Sequence, residues 1–265
     1  MSSAPALAVS GLSKHFGGVS VITQLDMVVP VGQALGIVGP NGAGKSTLFN
    51  LISGDTRPDD GTVVLNGRDI THQKSAWRCR AGVGRTYQIP RPFTGMSVYE
   101  TALLGAVHGA GLRGRHASDA AVDALDRTGL IPLANRAAGG IGLLDRKRLE
   151  LARALACAPT LLLMDEVAGG LTEPEVEELV GTVQQLRGGR LTLVWIEHVV
   201  HALTQVVDRL LCLTYGSVLA DGDPQQVLRS PEVQEVYLGT LPDEPPPGHP
   251  PAWPATPSAL PGTGP

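Results

Sequence analysis

The chain has 265 residues, 43% of them hydrophobic and 17% charged, and a formal net charge of −4. That length holds one large domain or two small ones with a real core, and the acidic balance gives no electrostatic case for nucleic acid as the main partner. Cys79, Cys157 and Cys212 are widely spaced and form neither a disulfide framework nor a metal-ligand spacing, which points to a reducing compartment.

The opening stretch, MSSAPALAVSGLSKHF, lacks a charged segment followed by an apolar run, so it does not read as a signal peptide. No run approaches the roughly 18 apolar residues that cross a bilayer, so a cytosolic chain is expected. Residues 7–38 then alternate β-rich runs with turns: ALAV, SVITQLDMVV and ALGIVG. The last of these leads into Gly39-Pro40-Asn41-Gly42-Ala43-Gly44-Lys45-Ser46, which satisfies G-x-x-x-x-G-K-[ST] without a mismatch. A helix, STLFNLIS, follows and stops at Gly54. Strand, glycine loop and helix in that order cradle a phosphate. Converging N–H groups and the helix N-terminus face the anion, Lys45 neutralises the β- and γ-phosphates, and the Ser46 hydroxyl holds Mg²⁺.

Thr62 to Leu65 reads as a short strand closed by an Asn66-Gly67 turn. Alanine- and leucine-rich helical runs over 97–136, broken by a loose loop at 109–115, suggest a helical insert. IGLLDRKRLELARAL, at 141–155, reads as a loop entering a helix with an apolar face. Arg146, Lys147 and Arg148 sit near its start, against the helix dipole, so an anion is expected nearby. TLLLMDE is a buried strand carrying Asp165 at its C-terminal edge, suited to the Mg²⁺ shell, and Glu166, placed to take a proton from water. An acidic helical run, TEPEVEELVGTVQQLR, separates it from a second buried strand, LTLVWI. Strand alternating with helix predicts an α/β fold with a largely parallel sheet. The last 25 residues hold ten of the 21 prolines and form a tail without regular structure.

In this order and at these distances, GPNGAGKSTL, TYQ, LELARAL, LLLMDE and LVWIEH resemble the ATP-binding subunits of ABC transporters over residues 7–240. HFGG, PRPF, MDEVAGGLTEPE and VYLG further resemble ATPases of branched-chain amino acid type importers. The resemblance implies a P-loop ABC-type ATPase with an antiparallel N-terminal β region and a helical insert. Its nucleotide-binding core would comprise 1–92 and 155–240, its insert 93–154, and its tail 241–265.

It further implies a nucleotide site of Phe16, stacked on adenine, with Gly39 to Ser46 and Thr47. Mg²⁺ would meet Ser46, Gln88 and Asp165, and the catalytic set would be Glu166, His198, Gln88 and Lys45. For Phe16, a place in the core is the alternative reading. Ile141-Gly142-Leu143-Leu144-Asp145 falls on the family's signature loop, which presses on ATP held by the opposite subunit. Leu143 and Leu144 replace glycines there and Asp145 replaces glutamine, while Thr172 replaces an aspartate that contacts the opposite subunit.

The implied partners are ATP, a second ATP-binding subunit, two membrane-spanning permease subunits and, indirectly, an external binding protein, with no nucleic acid. The altered loop favours a heterodimer over a homodimer. The implied function is ATP hydrolysis that drives uptake of branched-chain amino acids or related small amides and acids, from the inner face of the membrane. Closure would pass to the permease through Gln88–Phe93 and the insert. A weakly hydrolysing regulatory module and an ABC ATPase unconnected with transport are the alternatives.

Overall fold

The computed structural model describes residues 4–88 and 93–238, the last two as backbone only. Ile89 to Pro92 of the expected coupling segment and the proline-rich tail at 241–265 lie outside the described residues. β1 (Leu7–Phe16) and β2 (Val19–Val29) form a hairpin. β3 (Ala34–Val38) leads through the glycine loop to α1 (Lys45–Ser53). β4 (Asp60–Leu65) and β5 (Arg68–Asp69) complete an antiparallel sheet of order β2-β1-β4-β5. β1 extends well beyond the apolar run ALAV, because its pairing with β2 continues through register shifts that bend it. The expected signals hold here: α1 ends at Gly54 with φ 82°, and β4 turns into β5 at Asn66 (φ 49°) and Gly67 (φ 80°).

The chain continues through α2 (Ser75–Arg80), β6 (Val83–Arg85) and α3 (Val98–Leu104), which runs into a π-helical turn at Gly105–Gly109. Ser97 and Glu100 start α3 with reciprocal bonds: the Glu100 N–H donates to Ser97 Oγ at 3.1 Å, and the Ser97 N–H to Glu100 Oε2 at 2.7 Å. α4 (Gly114–Arg127) and α5 (Leu143–Ala156) pack with α3 as the helical insert. Then come β7 (Leu161–Asp165), α6 (Glu173–Leu186), β8 (Thr192–Ile196), α7 (Val200–Thr204), β9 (Arg209–Thr214), β10 (Ser217–Gly222), α8 (Pro224–Arg229) and α9 (Pro231–Leu238).

The second sheet has the order β10-β9-β3-β8-β7-β6. All its pairings are parallel except the antiparallel edge of β10 on β9. Its central strands are buried on both faces, and successive residues divide between two cores. Leu35, Ile37, Leu161, Leu163, Val194 and Ile196 face α1 and the antiparallel sheet. Val38, Leu162, Met164, Leu193, Trp195 and Leu210 face the insert and the remaining helices. The C-terminal ends of β3, β7 and β8 therefore open at one edge of a layer fixed from both sides, and the candidate site residues follow them. No helix among the described residues is long and apolar enough to cross a membrane.

Candidate active site

The glycine loop threads between two strands, and its glycines are dictated by space. At Gly39 (φ 149°) an added Cβ would lie 2.0 Å from the Leu213 carbonyl oxygen; at Gly44 (φ 100°) it would lie 2.7 Å from that of Val21. Any side chain there would push β9 or β2 away. Gly44 is also the N-cap of α1, and no side chain caps this helix start. Its first amides therefore point outward, as an anion site requires. Lys45 is 6% exposed, and its Nζ donates to the carbonyls of Gly39 (2.7 Å) and Pro40 (3.0 Å). Burial holds its ammonium below the ordinary lysine range, against the opposing pull of Glu166 and Asp165.

β7 ends on Asp165, which is 5% exposed. Its Oδ2 accepts from Arg85 Nη2 at 3.1 Å, while Oδ1 is buried without a hydrogen-bond partner. Burial raises the Asp165 carboxyl above the usual range despite Arg85. A buried carboxylate oxygen with no donor suits a cation ligand, and a carboxylate with a hydroxyl and phosphate oxygens is the donor set Mg²⁺ takes. The next residue, Glu166, has φ 47°, in the left-handed region, so it leaves the strand on a different heading. Its backbone N–H donates to the Ile196 carbonyl at 2.9 Å. Gln88 Nε2 donates to its Oε2, and His198 Nε2 lies 2.7 Å from its Oε1. Three segments far apart in sequence thus meet on one carboxylate.

The other expected residues stand as follows. Phe16 is 50% exposed with the Lys14 ammonium 5.4 Å from its ring centre, which excludes the core reading. Asn41, Gly42 and Ser46 are exposed, Pro40 and Thr47 half-buried, and Ala43 buried. Ile141 and Leu144 are buried, whereas Leu143 is 41% exposed. Gly142 is the N-cap of α5, and Leu143, Leu144 and Asp145 form its first turn with no side chain capping it. None of these residues has a positive φ, so leucine meets no backbone conflict. Among the described residues no hydrogen bond or ion pair joins Phe16 or residues 141–145 to the Glu166 cluster. Thr172 is the N-cap of α6; its Oγ1 donates to Glu175 Oε2 at 2.7 Å.

The cation cluster of α5 needs correction. Arg146 donates to the carbonyls of Ile141 (2.9 Å) and Gly139 (3.1 Å), and Lys147 to those of Gln88 (2.8 Å) and Glu166 (3.4 Å). Arg148 pairs with Glu178 at 3.2 Å and Asp145 at 3.8 Å. Each of the three is engaged by a carbonyl or carboxylate of this chain, although Arg148 Nε is buried without a partner, so the cluster by itself does not call for an outside anion. Lys147 is 3% exposed, and burial lowers its ammonium below the ordinary range.

Arg85, Lys147 and Glu197 were not foreseen as site residues. Arg85 Nη1 donates to Asn50 Oδ1 (2.8 Å), Ser53 Oγ (2.9 Å) and Asp55 Oδ2 (3.0 Å), tying α1 to Asp165. The signal for Lys147 was available: it falls three after Leu144 and four before Leu151, on the buried stripe of α5. Beside the cluster, a groove of about 360 Å³ runs between α2, β6, α3 and α5. Cys79, Arg85, Tyr87, Leu104, His108 and Cys157 are among its lining.

Residues 22–169 match the family model described as ABC transporter, and 217–240 that described as Branched-chain amino acid ATP-binding cassette transporter. The high-affinity branched-chain amino acid transport ATP-binding protein LivG of Salmonella typhimurium is 35% identical over 253 residues, covering 89% of this chain and 99% of the relative. BraF of Pseudomonas aeruginosa, with the same description, is also 35% identical with the same coverage. A nucleotide-free ATP-binding cassette from an ABC transporter superposes with a TM-score of 0.81 at 28% identity, covering 88% of this chain and 98% of that one. The ADP conformation of such a cassette gives 0.82 at 29% identity, covering 89% and 99%.

Proposed function

Because this chain belongs to the ABC transporter family of ATP-binding proteins, we propose that it binds Mg-ATP on residues 39–47 and hydrolyses it at Glu166 to drive import of branched-chain amino acids. The observation that carries this reading is the meeting of Gln88, Glu166 and His198 on one carboxylate, near the buried Lys45.

The loop amides and the start of α1 receive the phosphates. Lys45 exchanges its two carbonyl partners for the β- and γ-phosphate oxygens. Ser46, Gln88 and Asp165 would hold Mg²⁺, which when bound neutralises charge on those oxygens. Glu166 accepts a proton from the water that attacks the γ-phosphorus, and the bond to the β-phosphate oxygen breaks, releasing ADP. His198 steadies the γ-phosphate with a hydrogen bond. Phe16, exposed at the end of β1, stacks on adenine.

The second half of the site comes from another ATP-binding subunit. Its signature loop faces this nucleotide, as the start of α5 on this chain faces the partner's. The leucines and Asp145 at that start favour a different chain as partner. Residues 1–92 and 155–240 act as the nucleotide-binding core. The groove between core and insert, with Gln88–Phe93, meets two membrane-spanning subunits at the inner face of the membrane. An external binding protein delivers the cargo. The cargo assignment is supported by the names of the relatives and by the match at 217–240.

Steady-state ATP hydrolysis by the purified chain, over a range of protein concentrations with Mg²⁺, tests the site and its partner together. We expect ATP binding that Lys45→Ala abolishes, with little hydrolysis at any concentration. Specific activity that rises with concentration would overturn the heterodimer. Unchanged ATP affinity in Lys45→Ala would overturn the nucleotide site.

A further inference from the structure

Two buried charges stand beside the Glu166 cluster with no part in the chemistry assigned to it. Glu197, which follows β8, is 1% exposed, and Lys147, in the second turn of α5, is 3% exposed. Burying a charge is costly unless it is well paired. Their partners show where they act. Glu197 Oε2 accepts the Ala168 N–H at 2.9 Å, and Oε1 accepts those of His198 (2.9 Å) and Val199 (3.5 Å). Ala168 lies two residues beyond Glu166, so one carboxylate spans the loops after β7 and β8. Lys147 Nζ donates to the backbone carbonyls of Gln88 and Glu166. Each of the three residues that meet at the Glu166 side chain is therefore held through its own or adjacent backbone by one of these two charges. The charges also act on each other: Glu197 is the strongest of the carboxylates that oppose the burial of the Lys147 ammonium.

The backbone of Glu166 requires such restraint. A non-glycine residue in the left-handed region is strained and persists only where its surroundings over-determine it.

We propose that Glu197 and Lys147 are positioning residues for ATP hydrolysis, together aligning Glu166 with Gln88 and His198. Lys147 makes this alignment depend on the seating of α5. The helix starts at Leu143, about one turn before Lys147, so a shift of the end that faces the opposite subunit reaches the Glu166 carbonyl through one side chain. Closure of the partner's nucleotide site is thereby sensed at this chain's own. The proposal rests on Glu166 as the base.

The test uses the complex captured from solubilised host membranes by a tag on this chain. Glu197→Gln keeps the shape but turns one acceptor oxygen into a donor facing an N–H. Lys147→Met keeps the stem and removes the charge. A misplacement of about 1 Å at reacting groups costs on the order of 100-fold in rate. We therefore expect kcat to fall by about tenfold or more in each variant, while KM for ATP and ATP affinity stay within about twofold. The double variant should lose little more than the worse single one, since both act on one alignment, and Lys147→Arg should recover part of the rate.

Wild-type kcat in Glu197→Gln overturns the proposal, as do additive losses or a fall in ATP affinity parallel to kcat. If a variant fails to fold, Glu197→Asp and Lys147→Arg carry the same comparison of kcat with KM. Glu166→Gln, run alongside, separates the two claims. Wild-type turnover there refutes the base itself. Loss there, with wild-type turnover in Glu197→Gln, refutes the positioning role alone.

Discussion

Three polar groups at the site are held where water and ordinary backbone geometry would not leave them. Lys45 is buried against two loop carbonyls, Asp165 keeps an oxygen without a donor, and Glu166 sits in the left-handed region. Such breaches of local rules concentrate at functional sites, where a ligand or a reaction supplies the partner the chain does not. The cysteines follow the same physics without serving the site. In the groove, the neighbouring Cys157 thiol lowers the Cys79 thiol to about 7, whereas burial pushes Cys212 up to about 11. The thiolate is the reactive form, so Cys79 should react once pH rises through its lowered value. Alkylation of the native protein by iodoacetamide should therefore label Cys79 first, with a midpoint near pH 7, and spare Cys212. Replacing Cys157 with alanine should move the midpoint toward the ordinary value of about 8.5. A wild-type midpoint already at that ordinary value would contradict the contact.

At the scale of elements, the helix that carries Lys45 and Ser46 is closed by a residue from the next one. Arg78 of α2 is 1% exposed, and its Nη1 donates to the carbonyls of Leu51 (2.6 Å) and Ile52 (2.8 Å), in the last turn of α1. Nη2 donates to Thr71 O at 2.8 Å and Nε to Gln73 O at 2.9 Å. Helix ends leave such carbonyls unpaired, and each one buried without a donor costs about 1–3 kcal/mol. Arg78→Met should lower Tm by on the order of 10 °C; a melt within about 2 °C of wild type would show that water replaces the guanidinium.

What the sequence announced and what it concealed divide along the same line. The apolar runs of β3, β7 and β8, the stop at Gly54 and the Asn66-Gly67 turn were legible because a few adjacent residues determine them. Arg78 and Arg85 were not, since each stands in a short polar stretch. Their burial depends on groups 27 and 80 residues away. Lys147 lay between: its place on the apolar stripe was visible, but its carbonyl partners were not. The motif segments holding Gln88, Glu166 and His198 could be recognised one by one; that they converge is a property of the sheet.

At the scale of the whole molecule, two sheets and α1 present the nucleotide loop, while the insert carries the start of α5 and one wall of the groove. Under the proposed function the tasks are separate: the core holds and cleaves ATP, and the insert faces partner chains. α5 belongs to both: its start at Leu143 is the end proposed to face the opposite subunit, and its Lys147 donates to the backbone carbonyl of Glu166. The measurement closest to the centre of this account is ATP hydrolysis by the membrane complex captured through this chain, compared between wild type and Glu166→Gln. The account predicts that the variant binds ATP as the wild type does and loses at least about 100-fold in turnover, the contribution expected of a general base. Equal turnover in the two complexes would contradict it.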